Sequence, residues 1–204
     1  IVSKTPTGRF TSPPELITAP SVSAGTRKAS ITWTTDRTSD SKIQIGTESG
    51  KYRNSETYSS AQVKGHQLEV EGLEAGTTYY YKAKWTDEDG NTGSSSELSF
   101  TTLPAPKVKN VEVISKNLNS ATIQFTTTDA VKVNIPYGQT ENFGGVKSIN
   151  TSLQETTYTV ELLGLDDGTT YFFRPDTYDV DNFNYVGTTF SFTTPPRPRI
   201  SNLR

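Results

Sequence analysis

The chain has 204 residues, enough for one or two domains with cores of their own, and only 31% of it is hydrophobic, with Tyr 10, Phe 9 and Trp 2 supplying much of that bulk. A formal net charge of -2 with scattered basic residues leaves no electrostatic footprint for nucleic acid, and no apolar run reaches the length of a membrane span or a signal-peptide core. Cysteine is absent, which excludes disulfides, thiolate nucleophiles and Cys-ligated zinc without fixing the redox compartment.

In chain order, residues 1–12 (IVSKTPTGRFTS) are poor in apolar groups and are expected to be a linker or the tail of a preceding domain. The chain starts at Ile1 and contains no Met, so it is expected to be a piece of a longer polypeptide, with any export or anchoring signals outside it. From Pro13 onward the apolar signal has period two, broken by turn residues, and predicts strands near 16–22, 29–35, 42–45, 56–60, 67–71, 78–86 and 95–101. Along 78–86 the alternation turns Tyr79, Tyr81, Ala83 and Trp85 inward, against Ile31 and Trp33, with Tyr80, Lys82 and Lys84 outward.

The pattern then repeats at an offset of 92. GLEAGTTYYYKAKW from Gly72 falls on GLDDGTTYFFRPDT from Gly164, ASITWTTD (29–36) on ATIQFTTT (121–128), and Gly46 on Gly138. A repeat of this length is a whole domain, so residues 13–103 and 104–194 are expected to be two tandem β-sandwiches, with 195–204 a linker and the start of a third copy. The fold class is all-β: two immunoglobulin-like, seven-stranded Greek-key sandwiches. The joints LPAP (103–106) and PPRP (195–198) are short and Pro-rich, which predicts a semi-rigid rod. In the second copy Pro136 replaces Gln44 and Pro175 replaces Ala83; each removes a ladder donor and predicts a bulge or a locally opened sheet edge.

These residues resemble fibronectin type III domains. The resemblance rests on Trp33 in the second strand, replaced by Phe125, and on Leu73 with Tyr79 and Leu165 with Tyr171, each tyrosine preceded by Gly-Thr-Thr. It implies a tyrosine corner, in which the ring packs inside and the hydroxyl bonds to nearby backbone. The wording SKIQIGTESGKY, with His66 before a strand, is similar to the variant of bacterial and archaeal secreted multidomain proteins and to the non-catalytic N-terminal domain of purple acid phosphatases. The resemblance covers about 13–102 and 104–194, and implies an extracellular or cell-surface location.

Candidate sites are few. DEDGN (87–91) places Asp87 and Asp89 at the alternating positions of an oxygen-rich calcium loop, but lacks a distal bidentate Glu, and Asp-Gly-Asn is also a tight-turn sequence. The second copy keeps Asp179 and Asp181 there and adds Asp176; from 155 to 192 seven acidic residues face the single Arg174. Calcium is therefore the one cofactor to consider, with a solvated acidic loop as the alternative. Phe183 and Tyr185 in the same loop, at the same end as the turn near Asp129, are flat aromatic faces able to stack on a sugar ring or seat a protein. Phe143, in TENFGG, belongs to the opposite end.

His66 is the only histidine and its counterpart is Tyr158, which points to a half-buried aromatic position rather than a ligand or base. Phosphate loops and G-x-S-x-G are absent from the sequence, and Asn150-Thr151-Ser152 is a glycosylation sequon. The expected function is a non-catalytic spacer positioning neighbouring adhesive or catalytic domains, its partners being those domains. The alternatives are a carbohydrate- or protein-binding module built on Phe183 and Tyr185, and an accessory to an extracellular hydrolase such as a metallophosphoesterase.

Overall fold

A computed structural model describes residues 9–53 and 56–199; the proposed start of a third copy falls partly on 200–204, and most of the N-terminal tail on 1–8, outside the described residues. The chain divides into two units, Ile1–Pro104 and Ala105–Arg204. Every regular element described is a strand, as the abundance of β-branched and aromatic residues favours.

The first unit contains β1 (Leu16–Ala24), β2 (Ala29–Gly46), β3 (Thr57–Val70), β4 (Thr78–Thr86), β5 (Thr92–Ser94) and β6 (Leu98–Thr101). They form one hydrogen-bonded sheet in the order β1-β2-β4-β5, with β3 on β2 and β6 on β4. The sequence reading separates 29–35 from 42–45 and 56–60 from 67–71, whereas the structure joins each pair into one long strand. The join is possible because the polar run 36–41 stays extended: Ser39 and Ser41 pair with Val63 and Ser59, with register shifts after Thr34 and after Ser39. The first half of β2 thus pairs with β1, its second half with β4, and the strand passes from one layer to the other. Tyr79, Tyr81, Ala83 and Trp85 alternate inward along β4 and pack with Ile31, Trp33, Ile43 and Ile45 in one apolar core.

The second unit contains β7 (Lys107–Lys116), β8 (Ser120–Thr128), β9 (Lys132–Gly138), β10 (Gly145–Asn150), β11 (Thr156–Leu163), β12 (Thr170–Phe173), β13 (Asp176–Tyr178), β14 (Asn184–Tyr185) and β15 (Phe190–Thr193). Here the layers are separate: one sheet runs β11-β8-β7, the other β14-β13-β9-β12-β15 with β10 on β9. The strand that is continuous as β2 is divided at Asp129, which takes a φ of 60°, a left-handed conformation that aspartate tolerates. Ile123, Phe125, Val133, Ile135, Val160, Leu162 and Phe173 fill the core between them.

The prolines act at one spot. β9 runs unbroken through Pro136, which pairs with Val146 of β10. Its other neighbour is broken: Phe173 pairs with Tyr137 and Asp176 with Asn134, but Arg174 and Pro175 lie outside the strands between them. Arg174 N–H still reaches the Pro136 carbonyl at 3.1 Å. In return Pro136 has no N–H to give, so the missing donor and the strand break coincide.

Candidate functional site

The turns that carry the candidate carboxylates are built the same way twice. In the first unit Asp87 is buried, and its Oδ1 accepts the backbone N–H of Asp89 at 3.0 Å and of Asn91 at 2.9 Å. In the second, Asp179 is fully buried and its Oδ1 accepts the N–H of Asp181 and of Phe183, both at 2.9 Å. Gly90 and its counterpart Asn182 turn the chain at φ 86° and 62°. The aspartates therefore serve as the hydrogen-bond hubs of Asx-type turns.

Their remaining oxygens are also engaged. Asp87 Oδ2 accepts from Arg37 Nη2 and Asn91 Nδ2, both at 3.0 Å. Burial opposes ionisation of Asp87, yet the hydrogen bonds from Asn91, Arg37 and the Asp89 amide outweigh it and hold its pKa at about 2. The place of Arg37 is held in the second unit by Asp129, whose N–H donates to the Leu153 carbonyl. There Asp179 Oδ2 accepts instead from the Tyr185 hydroxyl, at 3.2 Å. Asp176, buried, forms a two-pronged ion pair with Arg174 at 2.8 and 3.0 Å and accepts the Gly187 N–H. Asp89 anchors the segment before β1, taking the Phe10 N–H at 2.8 Å. Among the described residues no group of three or more His, Asp or Glu side chains is arranged to hold a metal ion.

Phe183 and Tyr185 meet edge to face, with centroids 5.1 Å apart; Phe183 is 45% exposed and Tyr185 half-buried. The Val131 N–H bonds to the Tyr178 carbonyl, which brings the Asp129 turn and the 179–183 loop to the same end of the unit. Phe143 sits past the other end of β9, at a φ of 54° beneath the Arg174 guanidinium, 5.2 Å from its ring centroid. The aromatic patch is thus the pair Phe183 and Tyr185, with only Phe183 widely open.

His66 is a packed core group. It stacks on Trp33 with centroids 4.8 Å apart, and its ring nitrogens meet Thr35 Oγ1 at 2.9 Å and Ser41 Oγ at 2.8 Å. Thr35 donates its own proton to the Arg37 carbonyl, so Nε2–H is the donor to Thr35 and Nδ1 accepts from Ser41. Burial lowers its pKa, with Asp40 opposing. In the tyrosine corners, Tyr79 oxygen accepts the Glu74 N–H at 2.8 Å and Tyr171 oxygen the Asp166 N–H at 2.9 Å.

One feature went unseen in the sequence. A cleft of about 240 Å³ opens in the second unit between Pro106 and Val108 on one side and Thr177, Tyr185 and Phe190 on the other. The signal that finds it is the exchange of Trp85 for Thr177 at the constant offset.

With this geometry the relationship of the first unit can be stated. Residues 14–102 match the N-terminal domain of purple acid phosphatases. The first unit thus resembles that domain. No curated protein matches the sequence. Solved structures similar to it include the FN1–FN3 domains of chicken CNTN1, 14% identical with a TM-score of 0.46 over 90% of this chain and 66% of that one. A two-domain fibronectin type III segment of chicken tenascin is 16% identical, with a TM-score of 0.40 over 88% of this chain and 100% of that one. The chain thus spans just under two thirds of the CNTN1 structure.

Proposed function

We propose that the two units form a non-catalytic spacer in a secreted or cell-surface multidomain protein, holding neighbouring domains at a set separation. The observation that carries this reading is the use of the carboxylates: Asp87, Asp176 and Asp179 spend their oxygens on backbone amides, arginines and a tyrosine hydroxyl of their own unit. Carboxylates engaged in this way serve the turns of their own unit. The match of residues 14–102 to a purple acid phosphatase N-terminal domain supports an accessory role beside a hydrolase whose metal ligands belong to another domain. The seven-stranded Greek key is part of the same reading: β2 and β3 each do the work of two strands, β12 and β13 are one strand interrupted at Pro175, and β5 with β6, like β14 with β15, form the last. Solution scattering of the chain tests the spacer: the Pro-rich joint predicts a long, narrow distance distribution, and a folded-back pair would overturn it.

A second reading, recognition of a glycan, is favoured by the open ring of Phe183. Phe183→Ala should then abolish retention on a glycan array while leaving the melting temperature unchanged, because the turn is held through the Phe183 backbone.

A further inference from the structure

We propose that the outward face of β2, β3 and β4 in the first unit binds a carboxylated polysaccharide, with Lys82 and Lys84 holding its acid groups. Along β4 the side chains turned away from the core are Tyr80, Lys82 and Lys84, each half-buried. Register places Lys84 directly opposite Lys42 of β2 and Lys82 opposite Gln44, while Tyr58 of β3 stands on the far side of Lys42. Lysines 42, 82 and 84 thus share one patch of sheet, although like charges directly opposed across strands lower stability.

The acids around the patch are already engaged. Glu56 holds Lys42 at 3.0 Å and accepts from Gln44 Nε2 at 2.6 Å. Glu97 spends its carboxylate on the Ser49 hydroxyl, the Gly50 N–H and the Tyr52 hydroxyl, and Asp40 Oδ1 accepts the Thr86 N–H at 2.6 Å. Among the described residues Lys82 and Lys84 make no ion pair. At the offset of 92 the same two positions are Arg174 and Asp176, which neutralise each other through contacts of 2.8 and 3.0 Å. The second unit therefore balances its own charge there, whereas the first leaves two cations for an anion from outside.

The chemistry of the patch selects the occupant. A lysine ammonium is a compact, strongly hydrated point charge, and the partner that Lys42 holds in this same patch is a carboxylate. Tyr58, 53% exposed, and Tyr80 flank the lysines with ring faces on which the C–H face of a sugar can stack. Strand β4 is flanked by β2 on one side and by β5 and β6 on the other, so it offers no free edge to an extended peptide. With a net charge of -2 on the chain, two uncompensated lysines are too few for a nucleic acid strand charged at every residue. They suit a polymer in which acidic sugars alternate with neutral ones.

The test is isothermal titration calorimetry of the full chain with hyaluronate oligosaccharides, whose carboxylated sugars alternate with neutral ones. Saturable binding that weakens with added salt is expected, with backbone NMR shifts gathered on Tyr58, Lys82 and Lys84. Lys82→Gln combined with Lys84→Gln should weaken binding about 5- to 30-fold. The melting temperature of that variant, read from indole fluorescence, should stay level or rise, because the charge opposed to Lys42 is gone. Tyr58→Ala should weaken binding about 2- to 10-fold. Lys107→Gln combined with Lys147→Gln takes the same charge from exposed positions of the second unit and should leave affinity unchanged. No binding, affinity retained without Lys82 and Lys84, or an equal loss without Lys107 and Lys147 would overturn the proposal. Poly-L-glutamate or a single-stranded oligonucleotide binding as tightly as hyaluronate, or full affinity in Tyr58→Ala, would overturn the polysaccharide as the occupant.

Discussion

At the scale of single residues, a buried carboxylate that looks like a ligand is a turn hub, and its ionisation becomes part of the fold. Asp87 has a folded-state pKa of about 2 against an ordinary 3.8, so it contributes stability that is fully present above 3.8 and is lost as pH falls through 2. Asp87→Asn should therefore lower the melting temperature of the first unit at pH 7, and the gap to the wild type should close between pH 4 and 2. A gap independent of pH would show that shape, not charge, holds the turn. His66 works in the same direction at higher pH. Its pKa is lowered by burial, so the stability it contributes is present above the ordinary 6.5 and declines as the ring is protonated below that. The tyrosine corners give a second prediction. Tyr79→Phe leaves the Glu74 N–H without its acceptor, and Tyr171→Phe does the same to Asp166, each costing its unit about 1–3 kcal/mol by denaturant melting.

At the scale of elements, the alternation along β4 was readable because inward and outward positions differ so sharply in chemistry, from Tyr79 to Lys84. The joining of strands in β2 was not readable: DRTSDS carries turn residues throughout, and only its bulged pairing with β3 keeps it extended. The two prolines read in the sequence as falling in neighbouring strands, each removing a ladder donor; that they meet at one break along β9 is a fact of register that composition does not contain. The cleft escaped for a related reason, since it arises from a residue that is missing. Gly187 marks how tightly the break is closed, because a Cβ there would lie 2.1 Å from the Pro175 carbonyl oxygen. Its counterpart Ser95 carries a side chain and bonds to the Ala83 N–H, the donor that Pro175 has lost. Gly187→Ala should accordingly destabilise the second unit by about 1–3 kcal/mol, measured by urea melting, through forced displacement of backbone. The same substitution at Gly65, where an added Cβ meets nothing within 4 Å, should be far milder.

At the scale of the whole molecule, the repeat duplicates a scaffold and then varies it. Both units keep the turn hub, the tyrosine corner and an aromatic core, while Trp33 becomes Phe125 and Trp85 becomes Thr177. Each has a complete core within its own residues, as expected of domains that fold separately. The uneven placement of tryptophan makes this measurable in the intact chain. Both tryptophans lie in the first unit, so indole fluorescence reports its melting alone, whereas far-UV circular dichroism reports both. Tyr171→Phe should lower one component of the dichroism melt and leave the fluorescence melt where it was; Tyr79→Phe should move the fluorescence melt. If Tyr171→Phe shifted the fluorescence transition equally, the units would be unfolding as one cooperative body, and the changes that set the second unit apart would then act on the stability of the first.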